Sequence, residues 1–381
     1  MKFEYKVGLW FLVVGLCISS CKKNIDKPLE SVLASKDPKI RYVMDSLDQY
    51  EVQIRYTQIN RRNDSVLFKD FDFQVNTDNY FYPASTVKFP AAVAALEKLN
   101  ETDTLNVNTR FYIEGDSIET TFAKAVSEIF AVSDNAANNR LLEFLGQDDL
   151  NERMRKRGVE PIRIAHRLST PNADEVTTKS LVIYLNDTTT VNSKPITNHA
   201  PLPLKIDKTQ KGTGYYADDE LQTGAFDFSL KNYFPIAAQH ELLKRIIFPE
   251  YFPEESRFNL SEQQRELLLK DMHTLPPAIG YDPDTYYDSY VKFLMFGDTQ
   301  DPMPKHIKIY NKVGYAYGTL TDCAYIQDKE NDIDFLVTAT ILVNKDGIFN
   351  DNAYEYDEVG IPFLAQLGRE LYQLELERDR N

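Results

Sequence analysis

Strand-forming pattern sits at the two ends of this chain and helical pattern fills the stretch between them, which confines the fold to a sheet-bearing part joined to an all-α part. Near the N-terminus, residues 52–58 and 65–71 read as two strands on either side of the charged turn Asn60-Arg61-Arg62-Asn63-Asp64, a hairpin. At the far end, strands are predicted at 307–312, 319–327 and 334–343, with a helix following from about 361 to 374. The first internal helix covers 86–99, where Val87, Ala91, Val93, Ala95, Leu96 and Leu99 crowd together behind Pro83 and Ser85, so most of it is expected to be buried. Residues 119–158 are helical in pattern with a polar break at Ser133-Asp134-Asn135, and helical character returns at 236–247 and 261–272. Between 191 and 233 the pattern dissolves into Pro, Lys, Thr, Gly and Asp, as in an inserted loop system, for which a lid is one role. No internal repeat, heptad run or second long apolar segment supports a solenoid, a coiled coil or a multi-span protein. At 381 residues and 43% hydrophobic, the chain can bury one large core, assigned to a single domain from 42 to 381 with a helical subdomain over about 86–300.

The N-terminus carries Lys2 and Lys6 and then an apolar run over 7–18, too short to span a bilayer and suited to the core of a signal peptide. The run ends Ile18-Ser19-Ser20-Cys21, which resembles a bacterial lipobox. That resemblance implies a signal peptide at 1–20, lipidation of Cys21, and an exported protein anchored to a membrane on its periplasmic or outer face. Residues 21–41 then read as a polar tether, with folding beginning near Tyr42. With Cys17 removed and Cys21 acylated, Cys323 has no partner for a disulfide. A net charge of −15, from 43 basic and 58 acidic residues, leaves no basic footprint for nucleic acid.

Three short motifs carry the chemistry. Ser85 and Lys88 lie three residues apart at the start of a helix, which puts a hydroxyl and an amine on one face. A lysine buried near a helix N-terminus loses part of its charge and can then take the serine proton. Ser133-Asp134-Asn135 sits between two helices, and Lys312-Val313-Gly314 ends a strand and leads into Tyr315. Each is weak alone: Ser-x-x-Lys recurs at Ser20 to Lys23, Lys-x-Gly recurs at Lys156 and Lys345, and Ser85 or Ser133 by itself reads as a helix cap. Together, in this order and each on its predicted element, they resemble the class A β-lactamases and penicillin-binding proteins from about Tyr42 to the C-terminus, with 191–233 outside the likeness.

The resemblance implies a β-lactamase/transpeptidase-like fold, an antiparallel sheet flanked by terminal helices with an inserted helical subdomain carrying the nucleophile helix. By matching motif, Ser85 would attack a β-lactam carbonyl, Lys88 would accept or relay its proton, and Ser133 would pass a proton to the departing ring nitrogen. Asn135 would hold the substrate side-chain amide, Lys312 would attract the substrate carboxylate, and Gly314 would lie along the substrate edge. The backbone N–H groups of Ser85 and Tyr315 would form the oxyanion hole. No metal or organic cofactor is required, and the ligand would be a β-lactam or a peptidoglycan-like peptide.

Two departures bear on turnover. The family's deacylating glutamate has no counterpart in the stretch 163–172, which reads Arg-Ile-Ala-His-Arg-Leu-Ser-Thr-Pro-Asn; Glu160, Asp174, Glu175 and His166 lie in or near it, and none fits the pattern well enough to be assigned. Val313 stands where the family has Thr or Ser, which removes a carboxylate contact typically worth about 1.5–3 kcal/mol. The leading expectation is a β-lactamase-type serine hydrolase. A DD-peptidase or amidase-esterase with slow deacylation is its enzymatic rival, and a non-catalytic binding lipoprotein of the same fold is the third reading. Clustered His or Cys spacing for zinc and a Gly-x-Ser-x-Gly turn are both missing from the sequence.

Overall fold

The computed structural model describes residues 26–62 and 65–379. The expected signal peptide and Cys21 lie outside them. No helix among the described residues is long and apolar enough to cross a membrane.

The folded body starts earlier than the sequence suggested. Helices α1 (Pro28–Leu33) and α2 (Pro38–Met44) each begin on a proline, whose fixed φ suits the first helical position, and the Asp37 carboxylate caps the second by accepting from the Lys39 N–H at 2.8 Å. Leu29, Val32, Leu33, Ile40 and Val43 are all buried, so the tether assigned to 21–41 is corrected: the chain is packed from Pro28 onward, while Tyr42 itself is exposed.

Strands β1 (Gln53–Arg62) and β2 (Ser65–Phe73) form the expected hairpin, with Asn60, Arg61 and Arg62 inside the first strand rather than in its turn. The helical middle comprises α3 (Lys88–Leu99), α4 (Phe122–Ala131), α5 (Asn135–Leu145), α6 (Gln147–Lys156), α7 (Ile236–Ile247) and α8 (Glu262–His273). Strands β3 (Ile307–Ala316), β4 (Thr319–Asp328) and β5 (Ile333–Leu342) and helix α9 (Ile361–Glu377) complete the chain. The sheet runs β3-β4-β5-β1-β2, antiparallel throughout, and β1 pairs with β5 from Gln53↔Thr340 to Gln58↔Phe335, which ties the two ends of the chain together.

The period-2 alternation of strands gives this sheet two buried faces. Ile54 and Tyr56 with Phe335, Val337, Ala339 and Ile341 join the cluster that includes α1, α2 and α9. Ile59, Cys323, Tyr325 and Leu336 join the larger cluster of the helical subdomain. Helix α7 crosses this second face, and its buried His240 bridges the hydroxyls of Thr57 and Thr338 at 2.7 and 2.9 Å. This is the sheet with terminal helices and an inserted helical subdomain that the resemblance implied.

The segment 191–233 is more ordered than a loop system. Gly214–Ala217 pairs with Glu220–Thr223 and, in parallel, with Ile348–Phe349, while Gln210–Lys211 pairs with Phe226–Asp227. Gly212 has φ +76, and a Cβ there would lie 2.3 Å from the Gly347 carbonyl, so a glycine is needed where the segment meets the turn after β5. Phe228, Tyr233 and Phe349 close a third apolar cluster with Tyr80, Tyr82 and Ala84, which places the segment beside the turn that carries Ser85.

Candidate active site

The chain reaches Ser85 through the buried run Tyr80-Phe81-Tyr82 and Pro83, makes a 3-10 turn at Ala84–Val87, and passes directly into α3. Ser85 does not cap the helix, as its motif alone would have suggested; its Oγ lies 2.8 Å from the Lys88 Nζ. Lys88 is fully buried, one helical turn on, and its Nζ also donates to the Ser133 carbonyl and lies 3.2 Å from the Ser133 Oγ. Burial pushes the Lys88 ammonium down to about 7, against the pull of the Asp134 carboxylate.

Ser133 sits between α4 and α5 at φ +58, a left-handed conformation that turns the chain between the helices. The cap of α5 is its neighbour Asp134, which accepts from the Ala137 N–H at 2.6 Å and so leaves the serine hydroxyl for other partners. From β3, Lys312 brings its Nζ to 2.8 Å from the Ser133 Oγ and 2.8 Å from the Val313 carbonyl oxygen. One hydroxyl thus stands between two buried amines. The Lys312 ammonium is pushed well down by burial and by the neighbouring Lys88 charge, with Asp322 acting in the opposite sense.

Behind Lys312 lies a polar network that sequence reasoning missed. The Lys292 Nζ donates to the Met272 carbonyl at 2.8 Å and to the Asn311 Oδ1 at 2.6 Å; the Asn311 amide donates to Asp322 at 2.8 Å. Burial drives both ends toward neutrality, Asp322 up to about 6 and Lys292 down to about 7. Nothing local in the sequence could have linked residues on three separate elements.

Gly314 has a steric reason to be glycine: a Cβ would lie 2.6 Å from the Pro83 carbonyl and 2.9 Å from the N atoms of Ser85 and Thr86. The edge of β3 therefore runs directly against the Ser85 turn, with Tyr315 next in line. Val313 is buried in the apolar cluster of the terminal helices and lines neither cavity beside Ser85. Asn135, the first residue of α5, donates its amide to the Ser169 Oγ at 3.0 Å.

Two cavities, of about 620 and 600 Å³, open on either side of Ser85 and share it with Asn135, Tyr315 and Tyr356. The first is walled by Tyr82, His166, Leu168, Lys231 and Tyr317, the second by Tyr286, Tyr287, Tyr290, Phe293 and Asp357. Glu160, Asp174 and Glu175, the carboxylates nearest the expected deacylating position, line neither. The loop that carries His166 is held from both sides. Buried Arg167 forks onto Glu143 at 2.6 and 2.9 Å and donates to the carbonyls of Glu175 and Thr177; Asn139 takes the Leu168 N–H at 3.0 Å and donates to its carbonyl at 2.8 Å. Cys323 is buried with its thiol pushed upward by desolvation, far from a reactive state. Among the described residues no group of three or more His, Cys, Asp or Glu side chains could hold a metal ion.

Residues 38–194, which include Ser85, Lys88, Ser133 and Asn135, match the model of the beta-lactamase enzyme family. No curated protein matches the sequence significantly. Among solved structures the chain is similar to a β-lactamase from Xanthomonas campestris pv. campestris, at 14% identity over 91% of this chain and 99% of that one, with a TM-score of 0.52. It is similar to L2 complexed with relebactam, at 14% identity over 91% and 98% of the two chains with a TM-score of 0.51. The structure of PBP-A is matched at 14% identity over 92% and 97%, again with a TM-score of 0.51. At these identities the likeness establishes the β-lactamase/transpeptidase-like fold.

Proposed function

We propose that this chain is a serine acyl hydrolase of the class A β-lactamase type, which opens β-lactam amides through an acyl-enzyme on Ser85. The observation that carries the reading is the Lys88 amine, fully buried, 2.8 Å from the Ser85 Oγ and close to half neutral near pH 7. The neutral amine takes the Ser85 proton as the hydroxyl attacks the amide carbonyl. Backbone N–H groups of Ser85 and Tyr315 receive the developing oxyanion, and the tight approach at Gly314 keeps the two strands of backbone in register for it. Ser133, between Lys88 and Lys312, passes the proton to the departing nitrogen. Asn135 faces the acyl side chain, and Lys312 holds the Ser133 hydroxyl at the leaving-group side.

A second reading, a penicillin-binding peptidase or amidase-esterase that deacylates slowly, is favoured by one observation: neither cavity beside Ser85 has a carboxylate in the loop 163–175 lining it. Protein from residue 22 onward, mixed with a penicillin and followed by intact mass, separates the two. A stoichiometric mass increase that decays as substrate is consumed is expected for the β-lactamase, and a persistent adduct for the peptidase.

We further propose export and lipidation at Cys21, supported by the sequence Ile18-Ser19-Ser20-Cys21 after an apolar run. Cys21→Ser is expected to move the full chain from the membrane to the soluble fraction. Unchanged membrane recovery of the variant would contradict lipid anchoring at this cysteine.

A further inference from the structure

We infer that His166 activates the water that releases the acyl group from Ser85, since no carboxylate of its loop lines the cavities beside that serine. The inference rests on the acyl-enzyme reading above and concerns its second half.

The His166 Nδ1 lies 2.6 Å from the Arg167 carbonyl oxygen, and a carbonyl only accepts, so the ring proton sits on Nδ1 and the lone pair on Nε2. That Nε2 is buried and has no hydrogen-bond partner among the described residues. A buried acceptor left unpaired is costly, and a bound water would relieve it. His166 is also among the residues lining the cavity that contains Ser85, and its ring stacks on Tyr82, three residues before that serine, with centroids 6.3 Å apart and planes within 5°.

Its placement is built rather than incidental. The Asn232 Oδ1 accepts from the N–H groups of Ala165 and His166 at 2.7 and 3.1 Å, and the Arg167–Glu143 pair fixes the following residue. Burial lowers the imidazole below its ordinary value, the Arg167 carbonyl and the Asp174 carboxylate oppose this, and the Lys231 and Arg163 charges add to it. Tyr82, the titratable group on its face, is pushed far up by its own burial and stays neutral. The ring is therefore a neutral base across the neutral range.

In the step assigned to it, the water oxygen bonds to the acyl carbonyl carbon while one water proton moves to Nε2. The tetrahedral intermediate then collapses with cleavage of the carbon–Ser85 Oγ bond, and the imidazolium gives its proton to the departing Ser85 oxygen, which restores the neutral ring. The product is the free acid, and no electrons are exchanged.

The test follows intact mass after a penicillin pulse for wild type, His166→Gln and His166→Phe. A thermal unfolding midpoint close to that of wild type serves as the check on folding. The expected result is an adduct on both variants that clears about 10²–10⁴-fold more slowly than in wild type. Because burial lowers the imidazole, wild-type clearance is expected to fall only on acidification below the ordinary histidine range, as the ring takes a proton, and the variants are expected to lose that limb. Clearance in the variants at the wild-type rate, a wild-type rate that does not decline on acidification, or a wild-type adduct that never clears each overturns the role of His166 and leaves acylation of Ser85 standing. A wild type that never acquires mass overturns both readings.

Discussion

Lys88→Ala is expected to slow acylation of Ser85 by about three orders of magnitude, within the range for loss of a positioned general base. The Lys88 Nζ is the amine nearest the Ser85 Oγ, at 2.8 Å, whereas the Lys312 Nζ reaches the Ser133 Oγ and the Val313 carbonyl. The pH dependence carries the sign. Only the neutral amine accepts a proton, and burial places the Lys88 midpoint at about 7, so wild-type acylation falls about tenfold for each pH unit below that point and levels off above it. The limb is expected to vanish in Lys88→Ala and to survive in Lys312→Ala. Acylation rates from quenched-flow mass spectrometry over the acid range decide the matter; a Lys88→Ala rate within a few-fold of wild type would remove the lysine from the chemistry.

Arg167→Leu is expected to destabilise the protein by about 3–5 kcal/mol, because it leaves the Glu143 carboxylate buried without its cation. The partners are each 2% exposed and meet through two charge-assisted hydrogen bonds, and the same guanidinium holds the carbonyls of Glu175 and Thr177. The double replacement Glu143→Leu with Arg167→Leu is expected to recover much of that loss, since it buries no orphaned charge. Urea unfolding of the three variants measures both quantities. A loss under about 1 kcal/mol for Arg167→Leu, the range of an exposed pair, would mean that the pair is open to water.

The parts of this site that could be read from sequence are those whose geometry is local. Ser85 and Lys88 lie within one turn, so their spacing already encodes their contact, whereas the meeting of Lys88, Ser133 and Lys312 joins distant segments and was expected only from the resemblance. The hairpin, the closing strands and helix α3 were legible for the same reason, since their patterns are local. Helix α1 was not, because six residues hold too few turns for a 3.6 period to stand out from a polar background, although Leu29, Val32 and Leu33 do fall on one face. The aromatic wall of Tyr82, Phe228, Tyr317 and Phe349 gathers residues from four distant segments, and the Lys292–Asn311–Asp322 network joins three elements. Such contacts are properties of the assembled fold. His166 stood in plain view in the sequence, yet its value as a base depends on which nitrogen is engaged, and only the Arg167 carbonyl decides that.

The most direct test of the central claim is to locate a β-lactam on the chain. Protein from residue 22 onward, wild type and Ser85→Ala, is mixed with a penicillin, quenched in acid, digested and mapped by mass. The expected result is one equivalent of penicilloyl mass on the peptide that contains Ser85 in wild type and none in the variant. A wild-type chain that acquires no mass from penicillins or cephalosporins, or an adduct of equal yield in Ser85→Ala, would contradict it and leave a binding protein built on a hydrolase fold.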